Sequence, residues 1–558
     1  MESRPRHAVA PAFMLRSPVF ACSASPGLLL ALCCASTCAR GADARGADFF
    51  VSPRGDDGRD GQTPATAWRT LARANRQEFA PGDSLHLEGG ATFSGPLLLD
   101  ARDAGSAQKP VVVRSFGRGR ATIDAANGSA VEVRNAGGIE VRDLNLVGSG
   151  APTNRGDGLA FWNTLRGGVK LRHIRVENVE ASGFSGSGGR QQGGGWGSGI
   201  GVFAAPEDGS SSGFQDVRIE GCQAHDNRMN GITTGGVWDA QGKWYSHADV
   251  SVIACRAWNN LGDPDYKDNW SGNGIFVAEV RGARIERCQA WNNGRKCGAT
   301  TGGPVGIWAA AADRVVIEKC WSHDNGTGGN FDGGGFDFDG GVTNSLMQFN
   351  VSSDNDGAGF LVYEWDGAPY SFGGNVVRCN LSQNDGRKND YPALYIASDS
   401  PKGIRSCRFE QNLLVKDAPR LPDKGRVQGA LLVRGNVGGL VFERNLFLVG
   451  QGARLADVSN GAKATTWSGN ALSQANEKFN ARFGGQDVLS IAAWNALAPR
   501  AAPQGAPDQL LASQTLWQGA STPGLKRGWP RFAPGVRARA QFPDLAKWLD
   551  EATHFDFN

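Results

Sequence analysis

The sequence has no marked excess of either charge: 58 Lys and Arg stand against 55 Asp and Glu, a formal net charge of +3. That balance excludes the strongly basic surface on which nucleic-acid binding depends. Histidine (7), tyrosine (6) and methionine (4) are scarce. No run approaches the roughly 20 apolar residues needed to cross a bilayer, so no membrane span is expected. Beyond residue 40 there is no Cys-x-x-Cys pair, which removes the usual zinc framework, and no metal ligand is assigned. Seven cysteines remain in that region, an odd number that argues against a disulfide framework. What abounds is glycine, 79 of 558 residues, twice the usual share of about 7%. It follows no strict three-residue period, so the chain is not collagen-like. Hydrophobic residues at 40% exclude wholesale disorder, and the 16 tryptophans call for a role.

The first forty residues differ from the rest. Arg4, Arg6 and Arg16 precede an uncharged stretch from Pro18 to Cys38 that contains Leu28-Leu29-Leu30-Ala31-Leu32. Small residues around Thr37-Cys38-Ala39 then offer a cleavage site, the pattern of a secretory signal peptide over 1–39, with Met14 as an alternative start. A secreted or periplasmic protein is expected. A lipid-anchored form through Cys33, Cys34 or Cys38 is the weaker reading, because neither Leu32 nor Thr37 is the small residue wanted before such a cysteine.

From residue 217 the chain repeats itself. Val217-x-Ile219-x-x-Cys222 recurs as Val250-x-Val252-x-x-Cys255, Ala283-x-Ile285-x-x-Cys288 and Val315-x-Ile317-x-x-Cys320. The frame continues with Asn350, Asn380, Asn412 and Asn445, and weaker copies upstream put Leu144 and Val179 at the anchor. Each anchor is followed by a polar cluster such as Asp226-Asn227, Asn259-Asn260 or Asn292-Asn293. A small residue and a period-two strand come next: Gly231-Ile232, Gly274-Ile275, Gly306-Ile307, Gly335-Phe336, Gly359-Phe360. Units this short cannot bury an apolar face alone, but stacked copies can. Asn at a repeated position can stack on Asn of the next coil, about 4.8 Å away, as an amide ladder. Cysteine in that register acts as a small buried hydrophobe.

These features resemble the right-handed parallel β-helix proteins of the pectin-lyase-like type. Phe49-Phe50-Val51-Ser52-Pro53-x-Gly55-x-Asp57, Ala67-Trp68-x-Thr70-Leu71 and Pro81-Gly82-Asp83-x-Leu85-x-Leu87 resemble the first coil and capping helix of secreted members. The resemblance implies an all-β solenoid with an N-terminal cap, over residues 40–475. Residues 476–558 lose the repeat and read as an irregular C-terminal tail packed on the helix, with a short helix from Ile491 to Ala498. The fold hosts lyases, hydrolases, epimerases and adhesins, so activity must come from the site.

Alternation sends the second and fourth residues after each glycine outward. The first outward column reads Thr233, Phe276, Trp308, Asp337, Leu361, Tyr395, and the second Gly235, Ala278, Ala310, Asp339, Tyr363, Ala397. Only one coil shows acids there, in Gly333-Gly334-Gly335-Phe336-Asp337-Phe338-Asp339-Gly340-Gly341. Side chains at i and i+2 start roughly 6–7 Å apart, a spacing that suits the two carboxyls of glycoside hydrolysis. Asp337 and Asp339 are therefore the catalytic candidates, with Glu364 or Asp366 from Tyr363-Glu364-Trp365-Asp366 as partner acids. Trp308, Tyr363, Trp365 and Tyr395, with Trp238 and Trp244 from an earlier loop, are candidate sugar contacts, because aromatic faces pack on pyranose CH groups. No cofactor is required. A calcium site using Asp332 or Asp366, or a solvated turn, is the bland alternative.

Other candidates fall into register and lose force. His225 and His323 share a turn position with Trp258 and Trp291, and Asp354 aligns with Asp226 and Asp324, whereas Asp356 does not. The acidic run Asp263 to Asp268 lacks the spacing of a calcium loop, and Ser185 to Gly199 reads as a flexible glycine-rich loop. Lyases of this type resemble Gly-Phe-Lys-Leu-Gly-Gly at the equivalent strand, with lysine as base; here Asp337 stands in that slot. The expected function is a glycoside hydrolase acting on a polysaccharide or oligosaccharide. The alternatives are a uronate lyase using Lys267, Lys243 or Arg295 as base, and a non-catalytic glycan-binding scaffold. A monomer is expected.

Overall fold

The computed structural model describes residues 46–186, 196–416 and 428–500 (without 451, 460, 461, 463 and 475–478), together with 506–510 and 547. The signal-peptide reading of 1–39, residues 187–195 of the glycine-rich loop and nearly all of 511–558 lie outside them.

Short alternating segments pair in parallel, each with its equivalent one coil away, because the repeat carries the same alternation into every turn. Parallel sheets of 26, 14 and 3 strands result, and the chain winds as a right-handed parallel β-helix. Among the described strands one pairing is antiparallel, Ala481–Phe483 against Gln486–Val488. Asn273–Glu286 and Val305–Glu318 each run 14 residues through the bend between two faces. The anchor valines stack in register, Val217 on Val250 on Ala283 on Val315. In the neighbouring inward column Ile317, Met347, Val377, Phe409, Phe442 and Trp467 follow one another, all buried. Phe442 stacks on Trp467 at 4.2 Å.

Glycine before each inward isoleucine or phenylalanine has a steric cause. A Cβ on Gly274 would lie 2.8 Å from Ala290 Cβ, and one on Gly335 2.1 Å from Ser352 Oγ. The core is so thin at this corner that a small residue must face a residue with no side chain.

Two polar ladders run inside the stack. In the first, the Cys222 N–H donates to Cys255 Sγ, and the pattern repeats to Cys288 and Cys320, each step 3.4 Å. The Cys320 N–H then donates to Asn350 Oδ1 at 3.0 Å, and amides continue through Asn380, Asn412, Asn445 and Asn470 to the carboxylate of Asp508. All seven cysteines beyond residue 40 are free thiols. A second ladder joins Asn227, Asn260, Asn293, Asn325 and Asn355 and ends on Asp385. At the asparagine steps of both, one side-chain oxygen accepts the backbone N–H and the side-chain NH₂ of the coil before it, so these buried amides are paired.

The ends of the stack are covered. Trp68 is buried against Phe49 beside the short helix Leu71–Ala74. At the other end the helix Ile491–Leu497 brings Trp494 edge-on to Trp467 at 5.0 Å, while Trp494 Nε1 donates to Asp508 at 2.9 Å. Among the described residues no helix is long and apolar enough to cross a membrane.

Candidate active site

The strand Gly334–Asp339 pairs with Val305–Glu318 on one side and Phe360–Glu364 on the other. Its register puts Asp337 between Trp308 and Leu361, and Asp339 between Ala310 and Tyr363. Both carboxyls thus leave the same outward face of one coil. Asp337 is only 2% exposed, and its Oδ1 has no hydrogen-bond partner. Asp339 is half-buried and accepts the Gly340 N–H at 2.8 Å.

Two further acids complete the cluster. Glu364, one coil on, is buried; its Oε2 accepts the Gly341 N–H at 2.7 Å and its Oε1 has no partner. Asp332, from the turn before the strand, accepts the hydroxyl of Tyr391 at 3.0 Å. Burial, reinforced by Asp339 and Asp332, holds the Asp337 carboxyl well above its ordinary range. Burial pushes Asp339 up to about 8, with Asp332 and Glu364 adding to it and the Gly340 N–H opposing. Glu364 is pushed up to about 7 by burial, against the Gly341 N–H and Lys402. Asp332 is raised to about 6, again by burial. Neighbouring acids at different heights on the pH scale provide a proton holder and a proton acceptor in one place.

The raised values set the direction of a stability change. Unfolded, these carboxyls ionise near their ordinary values; folded, they resist. Their contribution is therefore fully present below about pH 4 and is lost as pH rises through the folded values. Asp337→Asn is expected to flatten that decline, leaving the variant more stable than wild type by on the order of 1–3 kcal/mol at alkaline pH. Thermal midpoints of both proteins across the pH range check this, and parallel curves would contradict it.

One wall of the site is aromatic. The loop 236–246 reaches across the coils to the segment that follows Glu364, where Trp238 meets Trp365 with ring centroids 5.5 Å apart. Trp365 lies over Gly340, where a Cβ would fall 2.0 Å from the indole nitrogen; only glycine leaves room beside Asp339. Trp238, Trp244, Tyr363 and Trp365 are all part-exposed. The Tyr363 hydroxyl donates to Asp399 at 2.7 Å. Tyr395 is nearly buried under the guanidinium of Arg434, 5.0 Å from its ring. Trp308 is 2% exposed, stacked on Phe276 at 3.7 Å and met edge-on by Trp270, so its faces are taken up by protein. Asp366 is exposed at the loop tip, outside the acid cluster.

The remaining candidates lie elsewhere. His225, Trp258, Trp291 and His323 stack in file on the 14-stranded sheet. Asp354 pairs with Arg387, Asp356 accepts the Thr327 N–H, and Asp263 pairs with Arg228. Lys267 donates to the Pro264 carbonyl, Arg295 to Asn292 and the Asp324 carbonyl, and Lys243 is exposed in the 236–246 loop. Among the described residues no group of three or more His, Cys, Asp or Glu is arranged to hold a metal ion. Tyr391, Asp239 and Glu279 were not singled out by the repeat. Glu279 did carry a signal, as an acid inside the apolar run Phe276 to Val280.

Residues 195–377 match the family model described as right handed beta helix region. No curated protein matches the chain in sequence. Among solved structures, a GH136 lacto-N-biosidase from Eubacterium ramulus is 18% identical, covering 72% of this chain and 67% of its own, with a TM-score of 0.51. The A-module of a mannuronan C-5 epimerase from Azotobacter vinelandii is 13% identical over 73% of this chain and 91% of its own, at 0.45. An alginate lyase from a Paenibacillus strain is 15% identical over 66% and 97%, at 0.36. At 18% identity the likeness to the lacto-N-biosidase is one of fold.

Proposed function

We propose that this right-handed parallel β-helix protein is a carbohydrate-active enzyme, a glycoside hydrolase whose centre is the Asp337–Asp339 pair. The observation that carries the reading is the pair itself: two carboxyls on one outward face, one of them with a bare buried oxygen, where neighbouring coils present none. Asp339, the more exposed of the two and the one whose carboxylate the Gly340 N–H supports, acts as base; Asp337, buried with a bare oxygen, keeps its proton and acts as acid. Asp337 passes that proton to the glycosidic oxygen as the bond to the anomeric carbon breaks. A water adds to that carbon and yields its proton to Asp339, so one water is consumed per bond. Trp365 and Trp238 would hold a pyranose ring beside the acids. Two features favour hydrolysis over elimination. An acid occupies the slot in which the resembling lyases carry lysine, and Lys267 and Arg295 are engaged by carbonyl and amide oxygens. The fold relatives accord with a glycan substrate, and the pattern over 1–39 accords with export towards one.

A panel of neutral and uronate-containing polysaccharides and oligosaccharides tests the reading, scored for new reducing ends and for unsaturated products. Reducing ends with wild type and none with Asp337→Asn/Asp339→Asn are expected. Undiminished cleavage by the double variant would remove the site, unsaturated ends would remove hydrolysis, and glycan binding without turnover would leave a scaffold.

A further inference from the structure

Away from the acid pair, a second buried acid faces the loop that carries Trp238. Glu279 is fully buried, and among the described residues no basic group pairs with it. Its Oε2 lies 3.0 Å from the Tyr370 hydroxyl oxygen, and its Oε1 has no partner. The same hydroxyl lies 2.8 Å from the Trp244 carbonyl and receives the Asp239 N–H at 3.4 Å. A tyrosine has one hydroxyl proton, and the carbonyl of Trp244 can only accept it. If Tyr370 gives its proton to that carbonyl, the contact with Glu279 is a hydrogen bond only when Glu279 is the donor. The network is complete with a protonated Glu279 and short of one proton with a carboxylate.

We infer that Glu279 is a neutral, proton-donating latch that, through Tyr370, positions the Trp238–Trp365 wall beside the acid pair. Burial holds this carboxyl well above its ordinary range, with Asp239 adding to it and a hydrogen bond from the Tyr370 hydroxyl opposing. Tyr370 joins the two parts of the wall. It belongs to the segment that holds Trp365, and it stacks on Tyr245 of the far loop at 4.6 Å and 10°. Gly242 of that loop lies against Pro369 and Tyr370. Asp239 folds the loop internally by accepting the N–H groups of Gln241 and Trp244 at 3.0 and 3.2 Å. Glu279 and Tyr370 are thus positioning residues, and the catalytic consequence rests on the hydrolase reading above.

Lys243, exposed at the tip of the loop, gives a local readout that needs no substrate. Tryptic cleavage after Lys243, followed as the new end at Trp244, reports loop opening. Tyr370→Phe and Glu279→Ala are expected to speed that cleavage at least about tenfold, the effect of losing roughly 1.4 kcal/mol of closure. Glu279→Gln, whose amide can donate to Tyr370 as a protonated acid does, is expected to keep the wild-type rate. Cleavage of Glu279→Gln as fast as Glu279→Ala would overturn the latch, because a carboxylate would then be the required form. An unchanged rate in Tyr370→Phe would overturn it as well. With a cleaved glycan in hand, Tyr370→Phe should raise KM more than it lowers kcat. Failure of the hydrolase reading would remove that last measurement and leave the proteolysis test standing.

Discussion

Asp339→Asn is expected to lower kcat by about a thousandfold while KM changes little, because positioned acid–base catalysis contributes roughly 10²–10⁴-fold. Asparagine keeps the volume and can still face the Gly340 N–H through its oxygen, so the coil should remain folded. The pH profile of wild type carries the sign of the assignment. Asp339 must be ionised to act as base, and burial pushes it up to about 8. Activity should therefore rise with pH through that value and fall once Asp337, whose buried carboxyl is held well above its ordinary range, loses its proton. Measured kcat within tenfold of wild type for Asp339→Asn, in a protein with unchanged melting, would take Asp339 out of the chemistry.

The second large effect belongs to the fold. Asn325 is 1% exposed and sits mid-ladder. Its Oδ1 accepts from the backbone and side-chain nitrogens of Asn293 at 3.2 and 2.9 Å, and its Nδ2 donates to Asn355 at 2.9 Å and Ser322 at 3.0 Å. Asn325→Ala strands groups on both sides in a place water does not reach. Each such orphan costs about 1–3 kcal/mol, so a loss of about 3–5 kcal/mol is expected. Cys288→Ala removes a thiol from the other ladder, where the sulfur is a weak partner and a small filler, and should cost about 1 kcal/mol. Denaturant unfolding of the two variants checks the order. Equal losses would mean that volume, not amide pairing, holds the coils in register.

The columns could be read from sequence because two periodicities fix them together. A repeat near 32 residues sets which residues stack, and alternation sets which face they take. Trp308, Asp337, Leu361 and Tyr395 accordingly lie in the order that sequence alone assigns. The ladder beyond Asn445 was not legible, because the next steps are 25 residues to Asn470 and 38 to Asp508, outside the regular spacing. An outward direction also says nothing about exposure: Trp308 points out of the coil, yet Phe276 and Trp270 cover it. Nor does periodicity reach the loops. The contact of Asp239 with Tyr370 spans 131 residues and depends on how two irregular segments fold over the coils. Trp238 and Trp365 could thus be named from the sequence, but not the Asp239, Tyr370 and Glu279 contacts that hold them together.

The mass of the products tests the chemistry of the Asp337–Asp339 pair most directly. On the first glycan that the protein cleaves, run in heavy-oxygen water, hydrolysis predicts fragments whose masses add to the substrate plus one water, with the label at the new reducing end. Fragments that add to the substrate alone, unlabelled and with an unsaturated terminal sugar, would show elimination and contradict the assignment of Asp337 as acid and Asp339 as base.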